Sequence, residues 1–186
     1  MKIGIAKDGV CNYIARMSND PSPADDDKAG SPHAPAYLFC NNDTLRKATR
    51  NLGQLYDDAV EVVGLRSGQF GVLVHIDELD EPTMKELARA LVMDVSALTR
   101  TVQPLVRDGY VRLVPNAEDG RSKRVTLTKA GQRKVVEARE LWLNAQARFE
   151  AVFGAERAQA LRETMMLLSS EEFARQFKLA DPGRSR

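Results

Sequence analysis

Between Thr83 and Thr128 the residues spell two short helices, a strand, a charged loop, a second strand and a new helix cap, an order that narrows the possible folds more than anything else in the chain. Thr83-Met84-Lys85-Glu86 has the form of a capping box, in which the Thr hydroxyl takes an orphan backbone N–H and the Glu reaches back. Leu87 and Leu91 mark the buried face of the helix it starts. Asp94 is a second good N-cap, followed by Val95, Leu98, Val102 and Leu105 at helical spacing. Asp108-Gly109 ends that helix, since Gly takes a left-handed C′ conformation without penalty. Tyr110 to Val114 and Val125 to Leu127 are short β-prone runs, and the loop from Pro115 to Arg124 is too charged to bury. Two short helices and a two-stranded ribbon with a basic tip predict a winged helix-turn-helix, an architecture that seats one helix in a DNA groove.

The rest of the chain surrounds this module with helices. Residues 1–36 form a separate extension, in which Asn19 to Pro35 carries four prolines and the run Asp25 to Asp27, a composition that predicts a flexible linker. Leu45, Ala48, Leu52, Leu55, Tyr56, Ala59 and Val63 share one face of a long helix capped at Asp43 or Thr44 and stopped by Gly64. Ser67 begins another helix, with Phe70, Leu73, Val74 and Leu79 directed inward. After the wing, Thr128 caps a helix in which Val135, Ala138, Trp142, Ala145, Phe149 and Val152 recur at steps of three and four, a seam narrow enough to pack on a partner helix. Gly154 breaks it, and Ala158, Leu161, Met165 and Leu168 carry a last helix. The expected class is mainly α with a small β-wing: an extension (1–36), a dimerisation helix (37–66), a winged helix-turn-helix (67–128) and C-terminal dimerisation helices with a tail (129–186). Helices at both ends of the module suggest an intertwined homodimer, whose two-fold axis would also pair two recognition helices.

Composition removes several function classes. The net charge of the 186 residues is +1, so the chain is no bulk polycation. Arg121, Lys123, Arg124, Lys129, Arg133 and Lys134 are nonetheless concentrated around the wing, and counterion release needs only local charge. Cys11 and Cys40 are too few for a disulfide scaffold, and neither has zinc-ligand spacing with His33 or His75. No apolar run reaches the ~18 residues of a membrane span, and Lys7 and Asp8 interrupt any leader-like stretch. The expectation is a cytoplasmic protein that binds no membrane, metal or cofactor. Cys40 and His75 lack a third group or oxyanion loop, and Gly64, Gly68 and Gly71 follow a helix, which is no dinucleotide fingerprint, so no catalytic residue is assigned.

On the helix from Asp94, rotation by 100° per residue sets Ser96, Ala97, Arg100, Gln103, Pro104 and Arg107 opposite the buried face. Its N-terminal half would read bases, through Ser96, Ala97, Arg100, Thr101 and Gln103: Arg suits guanine, Gln suits adenine, and Ala meets a thymine methyl. Pro104 lacks the N–H that the Arg100 carbonyl would accept, which should bend the helix. In the wing, Arg121 would enter a minor groove, with Ser122 beside it and Lys123 and Arg124 meeting phosphates.

Four segments in order resemble the MarR family of transcriptional regulators. Gly64-Leu65-Arg66-Ser67-Gly68-Gln69-Phe70 resembles the family's Gly-Leu-x-x-x-Gln-Phe pattern, and Ser96-Ala97-Leu98-Thr99-Arg100 its recognition helix. Leu105-Val106-Arg107-Asp108-Gly109-Tyr110-Val111 resembles the continuation into the first strand. Asp119-Gly120-Arg121-Ser122-Lys123 and Val125-Thr126-Leu127-Thr128-Lys129-Ala130-Gly131 resemble the wing and the next helix cap. The long extension and Pro104 depart from the commonest pattern. The resemblance implies a homodimeric, non-enzymatic regulator on a pseudo-palindromic operator, usually a repressor released by a small molecule or by oxidation. A small aromatic or phenolic effector could meet Tyr56, Phe70, Val74 and Trp142, and His75 could face the same pocket. The family's hydroperoxide-sensing branch has a reactive Cys near the position of Cys40, so a redox-sensing regulator stays open, as does a winged helix used only for protein contacts. Asp119 would order the wing by pairing with an Arg.

Overall fold

The computed structural model describes residues 40–117, 119 and 122–180, so the expectations for the extension, for Cys11 and for Arg121 lie outside the described residues. The chain divides into two units, 1–45 and 46–186. In chain order the elements are α1 (Asn41–Val60), a 3₁₀ turn (Glu61–Val63), α2 (Ser67–Glu78), α3 (Met84–Ala90), α4 (Val95–Arg107), β1 (Val111–Pro115), β2 (Lys123–Leu127), α5 (Lys129–Phe153), α6 (Ala155–Leu168) and α7 (Glu171–Leu179).

The predicted caps organise the centre of the molecule. Thr83 accepts the Glu86 N–H at 3.2 Å and returns its own N–H to Glu86 Oε2 at 2.7 Å. Asp94 accepts the Ala97 N–H at 2.7 Å, and Thr128 accepts that of Gly131 at 3.0 Å. With the helix starts fixed, Leu73, Ile76, Leu87, Leu98, Leu105, Val111, Val125 and Val135 converge on one core, all at 2% exposure or less. β1 and β2 pair antiparallel, with Val111 opposite Leu127 and Pro115 opposite Lys123. The result is a winged helix-turn-helix in a mainly helical chain.

Several local expectations need correction. Helix α1 begins at Asn41, with the Cys40 carbonyl accepting the Thr44 N–H at 3.1 Å; Asp43 sits inside the first turn, where its carboxylate meets the positive helix end. Leu79 closes α2 as its C-cap and is 44% exposed, because the helix stops before its period can turn it inward. The strands are Val111–Pro115 and Lys123–Leu127, both longer at the loop end than expected. Helix α4, by contrast, ends where expected, running through Pro104 to Arg107 with Asp108 as its C-cap, whose N–H meets the Pro104 carbonyl at 2.9 Å. Helix α6 is not the last: Ser170 caps α7, which carries Phe173 and Phe177 four residues apart.

The α5 seam splits in two. Val135 and Ala138 are buried and Trp142 packs 6.4 Å from the Phe70 ring, all within this chain. Val152, by contrast, is 91% exposed, and Met166, Leu167, Phe177 and Leu179 are exposed beyond it.

A carboxylate joins α1 to α2. Asp57 accepts the Ser67 N–H at 2.7 Å, the Ser67 hydroxyl at 2.6 Å and Arg66 Nη1 at 3.2 Å, so it serves as a remote cap for α2. These bonds, the Ser67 hydroxyl first, hold its carboxyl below the usual carboxylate range. A depressed native value stabilises above the unfolded value near pH ~4, and the contribution disappears as pH falls through the native value. Asp57→Ala should therefore lose about 1 kcal/mol at pH 7 by thermal unfolding, and the gap from wild type should shrink at pH ~3. An equal gap at both pH values would refute the carboxylate's role.

Candidate nucleic-acid interface

Three residues hold α4 to the core, Leu98, Val102 and Leu105, each at 2% exposure or less. The opposite face is therefore presented to solvent: Ser96, Arg100, Gln103 and Arg107 are exposed, and Ala97, Thr101 and Pro104 half-buried. Ser96 Oγ donates to Asp94 Oδ1 at 2.5 Å, a bond that contributes most to holding the Asp94 carboxyl below its usual range, followed by the Ala97 N–H. With its proton committed, the Ser96 hydroxyl can only accept from a further partner. Thr101 Oγ1 reaches the Ala97 carbonyl at 3.4 Å, and Arg107 Nε lies 3.0 Å from Asp108. Arg100 attracts the Asp94 carboxylate electrostatically.

The wing shows two kinds of basic residue. Lys123 is exposed at the start of β2. Arg124 is half-buried: Nε donates to Asn116 Oδ1 at 3.0 Å and Nη1 to the Glu81 carbonyl at 3.0 Å. Ser122 Oγ accepts from Asn116 Nδ2 at 3.0 Å and donates to the Asp119 carbonyl at 3.1 Å. Lys134, part of the same basic run in sequence, turns inward, donating to the Val63 carbonyl at 3.1 Å and to Glu137 at 2.7 Å. The roles of Asn116 and Glu81 escape sequence reasoning, because no sequence signal marks a backbone carbonyl 43 residues away as an Arg partner.

Tyr56, Phe70, Val74 and Trp142 all line one open cavity of about 810 Å³ between α1, α2 and α5, with Met165 of α6 at its edge. His75 and Arg139 line it too. His75 Nδ1 lies 2.8 Å from the Gly71 carbonyl, a bond that needs the proton on Nδ1 and leaves Nε2 as the acceptor of the neutral ring. The Tyr56 hydroxyl donates to Gln146 Oε1 at 2.8 Å; burial first, then Glu150, raises its pKa, keeping it a donor. Cys40 is exposed at the start of α1. Among the described residues no group of three or more His, Cys, Asp and Glu converges to hold a metal, and no helix is long and apolar enough to cross a membrane.

Comparison with known proteins gives a consistent answer. The MarR family model matches residues 63–122, from the end of the 3₁₀ turn to the wing. The structure of the Mycobacterium tuberculosis transcriptional regulator MosR in complex with DNA superposes with a TM-score of 0.65 at 36% identity, covering 73% of this chain and 97% of that one. Escherichia coli MarR, as a cysteine-to-serine mutant complexed with operator DNA, shares the fold with a TM-score of 0.65 at 22% identity, covering 71% and 96%. The transcriptional activatory protein BadR of Rhodopseudomonas palustris is 36% identical over 103 residues, 52% of this chain, and the match spans about half of BadR, 53%. MosR is a transcriptional regulator and BadR a transcriptional activatory protein, and this chain covers nearly all of MosR at over a third identity. The chain belongs to the MarR family.

Proposed function

We propose that the chain is a homodimeric, sequence-specific regulator of transcription that acts in the cytoplasm, has no catalytic activity, and represses until a small molecule releases it from DNA. The observation that carries the DNA-reading part is α4: an apolar face locked into the core opposite a face that offers Ser96, Arg100 and Gln103. In this reading residues 67–128 read the operator, Ser96, Ala97, Arg100, Thr101 and Gln103 face base edges, and Ser122 and Lys123 approach phosphates. Arg121 would reach the minor groove. The helices of 37–66 and 129–186 pair two copies.

Base readers and charge donors fail differently. Arg100→Ala should lose about 1–3 kcal/mol on a duplex selected by the chain from a random library, and relax the preference at one base pair. Lys123→Ala should weaken every duplex alike and make the salt dependence shallower by about one unit. Equal losses on selected and random DNA from both variants would remove the recognition-helix assignment. BadR is an activatory protein; a promoter whose output falls when this chain is deleted would make the chain an activator as well.

The α1–α2–α5 cavity supports release by a small aromatic or phenolic effector. Phe70 and Trp142 offer ring faces, His75 an acceptor for a phenolic hydroxyl, and Arg139 a cation for a carboxylate. Trp142 is the only tryptophan, so its emission reports on this cavity alone. Salicylate or 2-naphthoate should quench it saturably and weaken DNA binding. A Cβ at Gly71 meets nothing within 4 Å, so Gly71→Leu should fill the cavity and abolish quenching while leaving DNA affinity intact. Undiminished quenching in that variant would move the effector elsewhere.

A further inference from the structure

The basic residues of the wing divide by what they touch, and Arg124 touches the protein itself. Its guanidinium spans two acceptors from distant parts of the chain, Asn116 Oδ1 at the base of the wing loop and the Glu81 carbonyl in the turn before α3. The next residue continues the junction: the Val125 N–H donates to the Pro82 carbonyl at 2.8 Å, and Thr83 pairs with Arg124 as an isolated antiparallel bridge. Two successive carbonyls, Glu81 and Pro82, are thus held by two successive residues of β2. The turn so held is an unusual one. Asp80 and Glu81 have φ of 50° and 59°, a left-handed conformation that L-residues other than Asn and Asp rarely adopt and that persists where its surroundings fix it. One residue beyond Pro82, Thr83 caps α3. At the other end Asn116, only 7% exposed, binds Ser122 through its own N–H at 3.1 Å and through Nδ2 at 3.0 Å, closing the base of the loop.

We propose that Arg124 is a positioning residue that fixes the wing to the start of the helix-turn-helix, so that the β1–β2 hairpin and α4 meet DNA as one rigid surface. The two acceptors require a fork of coplanar donors, which a guanidinium has and an ammonium lacks. Charge-assisted bonds of this kind are stronger than neutral ones and set direction as well as distance. Without the fork, the hairpin keeps its β pairing but loses its fixed angle to α4. Binding at the centre of the site then survives, and the added affinity from the flanks is lost. This inference rests on the reading that the wings lie over the flanks of the operator.

The test uses the full chain and two duplexes taken from a random-library selection, one of about 30 base pairs and its central ~14, which holds both half-sites and lacks the flanks. The wild type should bind the longer duplex more tightly. Arg124→Lys, which keeps the charge, and Asn116→Ala, which removes one acceptor and leaves Arg124 in place, should each bind the longer duplex about ten-fold more weakly. Both should bind the core duplex as the wild type does, with an unchanged salt slope. If Arg124→Lys binds the longer duplex like wild type, or if the variants weaken both duplexes equally, Arg124 is a charge donor or a general stabiliser and the proposal falls. A wild type that does not distinguish the duplexes overturns the wing placement itself.

Discussion

Gly131→Ala should be among the most damaging single methyl additions in this chain, costing about 3 kcal/mol or more and lowering the thermal midpoint by many degrees. An added Cβ at this position would stand 2.1 Å from the Tyr110 carbonyl oxygen and 3.0 Å from its carbon. Neither atom can retreat. The Tyr110 N–H is bound to the Leu105 carbonyl at 2.9 Å at the end of α4, and the Tyr110 carbonyl accepts the Thr128 N–H at 3.0 Å. The threatened junction holds the recognition helix, the first strand and α5 together, so DNA binding should fall with stability. Gly53→Ala is the internal control: it lies mid-helix, its Cβ meets nothing within 4 Å, and the gain in helix propensity should stabilise by about 0.5–1 kcal/mol. Equal midpoints for Gly131→Ala and wild type would disprove the close approach.

A second large effect concerns the operator. Two α4 helices related by a two-fold axis should enter successive major grooves on one duplex face, with half-sites centred about 10 base pairs, or ~34 Å, apart as an inverted repeat. Footprinting should protect roughly 20 base pairs, including the flanks under the wings. Inserting about five base pairs between the half-sites rotates one of them to the far face. Affinity should then drop towards the non-specific level, a loss on the order of 10³-fold or more. Sedimentation should show a species near twice the 20.6 kDa chain mass. Undiminished binding to the spaced operator, or a clean monomer at micromolar concentration, would exclude two-fold docking.

The helix-turn-helix is legible in sequence because its determinants are local. Thr83, Asp94 and Thr128 each cap through a bond to the residue three positions on, and Leu98, Val102 and Leu105 report their face by period alone. The four cavity residues are legible for a related reason, since each lies on the inward side of a recognisable helix. Arg124 is not. In sequence Lys123 and Arg124 read alike, both as phosphate contacts, and only the arrival of the Glu81-Pro82 turn beside β2 separates an inward Arg from an outward Lys. Lys134 misleads in the same way, its ammonium being drawn to the Val63 carbonyl rather than to solvent. Gly131 belongs to a recognisable motif, yet the reason for it, a carbonyl oxygen 2.1 Å from where a methyl would stand, is tertiary. Helix α7 has a sequence signal of its own: Ser170 ahead of Glu171 and Glu172, then Phe173 and Phe177, is a capped amphipathic turn.

The divided seam of α5 bears on how such a regulator would sense its own abundance. Its first half packs within the chain, and its second half, from Ala145 to Val152, ends on an almost fully exposed valine. If a second copy completes that half, dimer concentration rises with the square of protomer concentration while protomers are dilute, and operator occupancy inherits that steepness. Halving the gene dose would then more than halve the occupied promoters. A protomer made without a partner would leave its apolar helices uncovered, ready for proteolysis or aggregation. Quaternary structure would in this way act as a threshold, so that small changes in expression produce a sharper change in transcription than ligand concentration alone could give.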